Sequence, residues 1–387
     1  MTETGRARAR DLGIVPGSLP PGQYNAITDV PGVRVGHTTL VEGTDIRTGV
    51  TAIVHDRLTG SQTLSAGLAV GNGYGKIVGT TQVSELGVIE TPVVLTATMC
   101  TFRAADALVS YMLSLPGNEK LETVNPVVAE TNDGFLSDMR RRPITEEHVL
   151  AALRGATSGP VAEGAVGAGT GTRALGFKAG IGTSSRMVDC GAPGGPVTIG
   201  ALVQANFGGT LTVLGVPVPP EPAASEAPDA PASVTPETAA PASVTSETDA
   251  PASVTPETAA RPSATPDGER GNSCVIVLAT DAPLDSRRLG RVAWRSFAGM
   301  ARTGSDFSGR SGDYALAFST APPAEPLPDS ALDPLFVAAI DVTEEAILNS
   351  LLAARTVSGF RGHVKHAVPL DRVRELCRAR GVLQTGH

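Results

Sequence analysis

The pattern of apolar and polar positions predicts a chain of short strands interleaved with a few helices. NAITDVPGVRVGHTTL and TGVTAIVHD read as strands joined by turns. A helix is expected after Cys100, through FRAADALVSYMLSL, where Ala104, Leu108 and Met112 fall on one face. A second helix is expected in TEEHVLAALRGA, started by Thr145, with Val149 and Leu153 together. PVTIGALVQANFG and LTVLGVPV carry the β-branched content of buried strands. Farther on, SCVIVLATDAPL opens with an apolar run of strand length. Asp285 is placed to cap the following helix, whose Leu289, Val292, Ala293, Phe297 and Met300 share a face. YALAFST reads as another strand, and 335–354 as a long helix with Phe336, Ile340, Ile347 and Leu351 inward. The order strand, helix, strand, helix, strand is a mixed α/β pattern in which helices cover sheets.

This pattern stops between about 217 and 268, where the chain is almost entirely Ala, Pro, Ser, Thr, Glu, Val and Asp. PASVTPETAA, PASVTSETDA and PASVTPETAA follow one another from 231 to 260. Recurrent proline removes backbone donors, and nothing large and apolar is present to bury, so the cost of ordering has no offset. A flexible linker is expected here, dividing an amino-terminal part, 1–216, from a carboxy-terminal part, 269–387. The second part is long enough for half of a shared core.

Composition narrows the functional classes. The 31 Lys and Arg against 39 Asp and Glu leave a net charge of -8, which offers no basic surface for a phosphate backbone and argues against nucleic acid as a partner. With 44 Gly and 30 Pro but only 4% aromatics, turns and close packing of small residues must carry much of the structure. Cys100, Cys190, Cys274 and Cys377 are far apart, and the six histidines form no HxxxH pair, so neither a disulfide framework nor a zinc site is signalled. The basic amino terminus lacks an apolar segment behind it, and no apolar run is long enough to span a bilayer. A cytoplasmic protein without a membrane partner is expected.

Two glycine-rich stretches, GLAVGNGYGK (67–76) and GAVGAGTGTRALGFKAGIG (164–182), match neither a P-loop nor a dinucleotide fingerprint, and read as glycines in tight turns and close backbone packing. A sharper feature is GERGNSCVIVLATDAPL, which puts Ser273 at the junction between linker and buried strand. A serine nucleophile needs a base, and there is no GxSxG elbow or obvious Ser/His/Asp set. Cutting the chain before the serine would supply one, since the new α-amine has a pKa of roughly 7.7–8.0 and lies within reach of its own hydroxyl. On composition alone, a serine at a strand entrance such as Ser273 reads first as a turn residue. Strand alternation points Cys274 away from it, into the core. His37, His55, His363 and His366 read as structural.

GNSCVIVLATDAPLDSRRLGRVAWRSFAGMARTGS and SGDYALAFST resemble the β-aminopeptidase and L-aminopeptidase/D-amidase-esterase family of self-processing N-terminal-nucleophile hydrolases. RARDLGI, NAITDVPGVRVGHTTL, RTGVTAI, NPVVAETNDGFLSD, GPVAEGAVGAGTGT, FKAGIGTSSR and ALVQANFG agree in collinear order, so the resemblance covers nearly everything but the linker. It implies an α/β fold, a four-layer αββα sandwich formed jointly by two chains after self-cleavage. Ser273 falls at the family's nucleophile, and cleavage of Asn272-Ser273 would yield chains 1–272 and 273–387. Asn206 matches the amide that donates to the oxyanion. Ser311 and Asp313 match the pair orienting the nucleophile, and Glu130 the carboxylate that receives the substrate's ammonium. Two residues after that carboxylate relatives often carry Tyr; here the position is Asn132, whose amide donates from a shorter reach. The segment leading into Ser273 is also much longer than in relatives.

By the same resemblance, the substrates are small peptides, amides or esters with a free amino group, no cofactor or metal is needed, and the assembly is a tetramer of αβ heterodimers. Alternatives are hydrolysis of aminohexanoate-type oligoamides within the same family, and an unprocessed binder of small molecules. Acetyl transfer, performed on a related fold by an N-terminal threonine, is argued against by Ser273.

Overall fold

The structure is a computed structural model that describes residues 5–60, 62–220 and 272–384. The repeats read as a linker lie outside the described residues. The stretch just before them does not, because the backbone N–H of the buried Val218 bonds the Leu211 carbonyl and Pro217 pairs with Thr212. Packed chain therefore continues past 216.

In chain order the principal elements are β1 (Val33–Glu42), β2 (Ile46–His55), β3 (Leu64–Gly73), β4 (Ile77–Val78), α1 (Thr80–Leu86), β5 (Val88–Ile89), β6 (Val93–Ala97), α2 (Thr101–Ser114), β7 (Val127–Thr131), α3 (Glu146–Arg154), β8 (Ile181–Val188) and β9 (Val197–Phe207). After the undescribed segment come β10 (Asn272–Thr280), α4 (Ser286–Arg302), β11 (Gly312–Ser319), α5 (Asp333–Leu352) and α6 (Leu370–Ala379). One sheet has the order β1-β2-β6-β7-β4, and the other β8-β9-β10-β11-β3-β5. The second sheet mixes strands from both parts of the chain: β10 pairs antiparallel with β9 and parallel with β11, and β11 pairs antiparallel with β3. A parallel pair needs a crossover, and α4 is that crossover between β10 and β11.

Three apolar layers hold four layers of secondary structure together. Val50, Ala52, Val94 and Val128 of the first sheet pack on Ala104, Leu108, Val149 and Leu153 of α2 and α3. Val35, Ile53, Leu95 and Ala129 on its other face meet Leu202, Val275, Val277 and Leu316 of the second sheet. The far face of that sheet, with Val203, Ile276, Leu278 and Ala315, packs on Leu289, Val292, Phe297, Val342 and Ile347 of α4 and α5. The result is an αββα sandwich. β10 is buried on both faces, which explains its unbroken apolar run VIVLA, whose larger side chains each contribute about 1.5–3 kcal/mol.

Helix boundaries follow local chemistry. The Asp285 side chain accepts from the Arg288 backbone N–H and opens α4, and Thr145 precedes α3 in a capping box closed by His148. α5 begins at Asp333 with proline in its first turn and is buried almost all round. Ile340, expected to face inward, is only half-buried at the α4–α5 crossing, where a Cβ on Gly299 would lie 2.4 Å from its carbonyl oxygen. The buried carboxylates of α5 are paired: Glu345 with Arg10 and, at 2.5 Å, with the fully buried Arg186, and Asp341 and Glu344 with Arg302. LTVLGVPV, expected as strand, forms a tight hairpin, Thr212–Val213 against Val216–Pro217, turning through Leu214 and Gly215 at positive φ.

Candidate active site

Ser273 is the second residue of β10, and the register of that strand decides its neighbours. Its Cα partners are Asn206 on β9 and Gly312 on β11. The alternation that sends Cys274, Ile276 and Leu278 to the α4–α5 side sends Val275 and Val277 between the sheets, and Ser273 shares that inter-sheet parity at the strand's entrance. Cys274 is fully buried, and burial pushes its thiol well above the ordinary range, so it is a core residue as expected. Ser273 itself is 3% exposed.

Asp313 is the polar hub beside it. One carboxylate oxygen accepts from the Ser311 hydroxyl at 2.6 Å and from the Cys274 backbone N–H at 3.1 Å; the other accepts from Asn72 Nδ2 at 2.8 Å. Burial raises the Asp313 carboxyl above the usual carboxylate range, and these three donors oppose that rise. Ser311 is held in turn by its carbonyl, which accepts from the Tyr74 N–H, and by its N–H, which donates to the Ser308 carbonyl. The Ser311-Gly312-Asp313 segment therefore lies against the strand that carries Ser273, with its hydroxyl and carboxylate joined.

On the other side, the Asn206 amide is fixed at both ends. Its Oδ1 accepts from the Arg173 backbone N–H at 3.1 Å, and its Nδ2 donates to the Asn132 carbonyl at 2.8 Å, leaving a second N–H on the same nitrogen. This bond ties β9 to the end of β7 and so joins the two sheets next to Ser273. The Asn132 side chain is exposed, and its Oδ1 accepts from the Gly134 N–H in a local turn. Its backbone carbonyl is the group that meets Asn206. Behind Asn206, the Arg173 guanidinium lies 3.9 Å from the centre of the Phe135 ring, which stacks on His363.

Glu130 stands on β7 and is 2% exposed. Its Oε1 accepts from the Lys76 backbone N–H at 2.9 Å and lies 3.4 Å from Lys76 Nζ; its Oε2 is buried and accepts no hydrogen bond among the described residues. Glycines connect it to Ser273. A Cβ on Gly75 would lie 3.3 Å from Glu130 Oε1, and one on Gly312 would lie 2.5 Å from Gly75 Cα and 3.3 Å from Ser273 Oγ. A depression of about 610 Å³, lined by Leu68, Val70, Gly75, Lys76, Phe102 and Tyr314 among others, opens beside this group. The geometry thus gathers Ser273, Asn206, Ser311, Asp313 and Glu130 at one end of the sandwich.

Sequence reasoning missed Asn72, Gly75, Lys76 and Gly312. The first three lie in the stretch read as structural glycines. That reading describes Gly67, whose added Cβ would lie 2.2 Å from the Gly290 nitrogen of α4, but it overlooks the side chains between the glycines. The polar residues of GNGYGK, in a stretch otherwise made for packing, were the available signal. Asp133, next to Asn132, is another: it is buried and pushed up to about 7 by burial, with the Glu130 charge adding to the rise. The histidines keep structural places; His37 bonds Thr51, is driven down to about 4 by burial, and His363 stacks on Phe135.

Four layers, with a candidate nucleophile at the head of a central strand, place the protein among hydrolases of N-terminal-nucleophile architecture. Comparison with known proteins narrows this, because the profile of peptidase family S58 matches residues 25–365, and the chain belongs to that family. It is 38% identical to "Beta-peptidyl aminopeptidase BapA" of Sphingosinicella microcystinivorans over 96% of this chain and 92% of that one. Among solved structures, the L-aminopeptidase D-Ala-esterase/amidase of Ochrobactrum anthropi, described as a variant of the Ntn hydrolase fold, superposes with a TM-score of 0.80 at 36% identity, covering 97% and 99% of the two chains. A β-aminopeptidase of Burkholderia sp. superposes with a TM-score of 0.77 at 34% identity over the same shares. Among the described residues, no helix is long and apolar enough to cross a membrane.

Proposed function

We propose that this protein is a serine aminopeptidase with amidase and esterase activity that matures by cutting itself between Asn272 and Ser273. The observation that carries this reading is the placement of Ser273 between Asn206 and Gly312 on adjacent strands, with the linked Ser311 and Asp313 following. In the precursor, Ser273 Oγ attacks the Asn272 carbonyl carbon, the peptide C–N bond breaks, and Asn272 is left as an ester on the hydroxyl while the serine nitrogen becomes an amine. Water hydrolyses that ester, freeing the Asn272 carboxylate and the Ser273 hydroxyl.

The mature amine then takes the proton of its own hydroxyl as Oγ attacks the substrate carbonyl. The free N–H of Asn206 stabilises the developing oxyanion, the leaving amine or alcohol departs with a proton, and water hydrolyses the acyl-serine. Asp313, which accepts from Ser311 and from the Cys274 N–H, holds the reacting end of β10 in place and favours the protonated amine after transfer. Glu130, with one buried oxygen unpartnered among the described residues, receives the substrate's ammonium and so selects for a free amino group. Assembly of the processed heterodimers into a tetramer, and a cytoplasmic location, belong to the same reading.

The test is intact-mass measurement of the wild type beside Ser273→Ala. The reading expects the wild type to split into 1–272 and 273–387 while the variant stays whole. A folded wild type that remains a single chain of 387 residues and lacks hydrolase activity would sink it.

A further inference from the structure

Lys76 places its own ammonium at the carboxylate assigned to the substrate. Nζ donates to Thr98 Oγ1 at 2.8 Å and approaches Glu130 Oε1 at 3.4 Å, longer than a good hydrogen bond, while the Lys76 backbone N–H holds the same oxygen at 2.9 Å. The two contacts differ in kind. The backbone bond is part of the strand connection and stays; the side chain is 41% exposed and reaches in from the apolar depression on a flexible four-carbon stem. A carboxylate as buried as Glu130 is costly to leave unpaired, yet among the described residues its Oε2 has no donor. A substrate ammonium reaching Oε2 would bring a second positive charge beside Lys76.

We propose that Lys76 is a specificity-determining residue whose ammonium stands in for the substrate's at Glu130 in the empty site and is displaced when an amine-bearing substrate binds. It raises the threshold for binding, since only a ligand whose cation outcompetes a tethered one is held. The proposal rests on the reading that Glu130 receives the substrate's ammonium.

The experiment compares alanyl p-nitroanilide with propionyl p-nitroanilide, which differ only in the amine, in wild type, Lys76→Met, Lys76→Arg and Glu130→Gln, with n-butylammonium as a competitive probe. Lys76→Met is expected to lower KM for the alanyl substrate about fivefold, the scale of one partly exposed ion pair, to tighten inhibition by n-butylammonium similarly, and to widen the preference for alanyl over propionyl. Lys76→Arg, which restores the charge, brings both values back toward those of the wild type. If Lys76→Met instead raises KM and weakens the probe, Lys76 orients Glu130 and does not compete, and the proposal is overturned. Glu130→Gln separates the two levels: it should abolish the alanyl preference, and a preference that survives it removes Glu130 as the ammonium site whatever Lys76 does.

Discussion

Asn206 and Ser273 are Cα partners across the β9–β10 ladder, although the whole Ala/Pro/Ser/Thr/Glu repeat lies between them in the chain. Pairing within the sheet brings the Asn206 amide to the level of Ser273, and the hydrogen bond from Asn206 to the Asn132 carbonyl adds the other sheet to the same point. Cleavage beside Ser273 would leave this ladder in place, because β9 and β10 are held by their register and by the core on both faces.

Replacing Asn206 by alanine removes the candidate oxyanion donor and the bond to Asn132. We expect kcat to fall about a hundred- to a thousandfold, with a smaller change in KM. Self-cleavage passes through the same kind of oxyanion, so the variant should also accumulate precursor, visible by denaturing electrophoresis over time. A variant that processes and turns over at the wild-type rate would remove Asn206 from the mechanism.

Gly312→Ala tests the close approach. The new Cβ would meet Gly75 Cα at 2.5 Å and Ser273 Oγ at 3.3 Å; Gly312 and Ser273 are paired in the sheet, and Gly75 lies in the bend between β3 and β4. Overpacking of this kind costs about 1–3 kcal/mol. The expected outcome is a lower Tm together with slowed processing, measured by calorimetry and mass spectrometry on the same sample.

The pH dependence of activity should carry the mark of Asp313. Its carboxyl is raised by burial, so the charge on which the proposed mechanism relies is lost as pH falls through a value above the usual carboxylate range. The acid limb of kcat/KM in the wild type should therefore lie higher than an exposed aspartate would give. In Asp313→Asn, rates should drop and that ionisation should vanish from the profile, while the limb due to the Ser273 amine stays.

Stability has its own titration in Lys178, which is fully buried, with Nζ donating to the carbonyls of Gly169 and Ala179. Burial lowers it from 10.5 to about 7. Between those values the unfolded chain holds a proton that the folded chain lacks, so this residue makes folding more favourable as pH rises from 7 to 10.5, and its penalty is fully present below 7. Lys178→Met has no such titration. The Tm difference between variant and wild type should shift toward the wild type by several degrees from pH 7 to pH 10, and a constant difference would exclude a neutral folded lysine.

Much of the frame is legible without coordinates. The apolar face Leu289, Val292, Ala293, Phe297 and Met300, opened by Asp285, is α4, and the run after Ser273 is a buried central strand of the second sheet. What resisted reading were strands made of small residues. β3 runs through GLAVGNG and β8 through IGTSSRMV, where glycine admits helix backbones: a Cβ on Gly182 would lie 1.9 Å from the Ala346 carbonyl oxygen of α5. Such positions are chosen for what they allow to approach, and periodicity does not record that.

The sequence by itself determined the order of elements and the interruption by the repeat, because burial patterns, caps and residue chemistry are local properties; the candidacy of Ser273, Asn206, Ser311, Asp313 and Glu130 came from the resemblance of collinear motifs to a known family. Only the tertiary structure decided which of these groups meet, that Asn132 contributes its carbonyl to Asn206, and that Lys76 lies on Glu130. Those contacts join different strands through sheet register and the stacking of two sheets, and register is set by the summed burial of whole faces, a quantity that no single stretch of the chain contains.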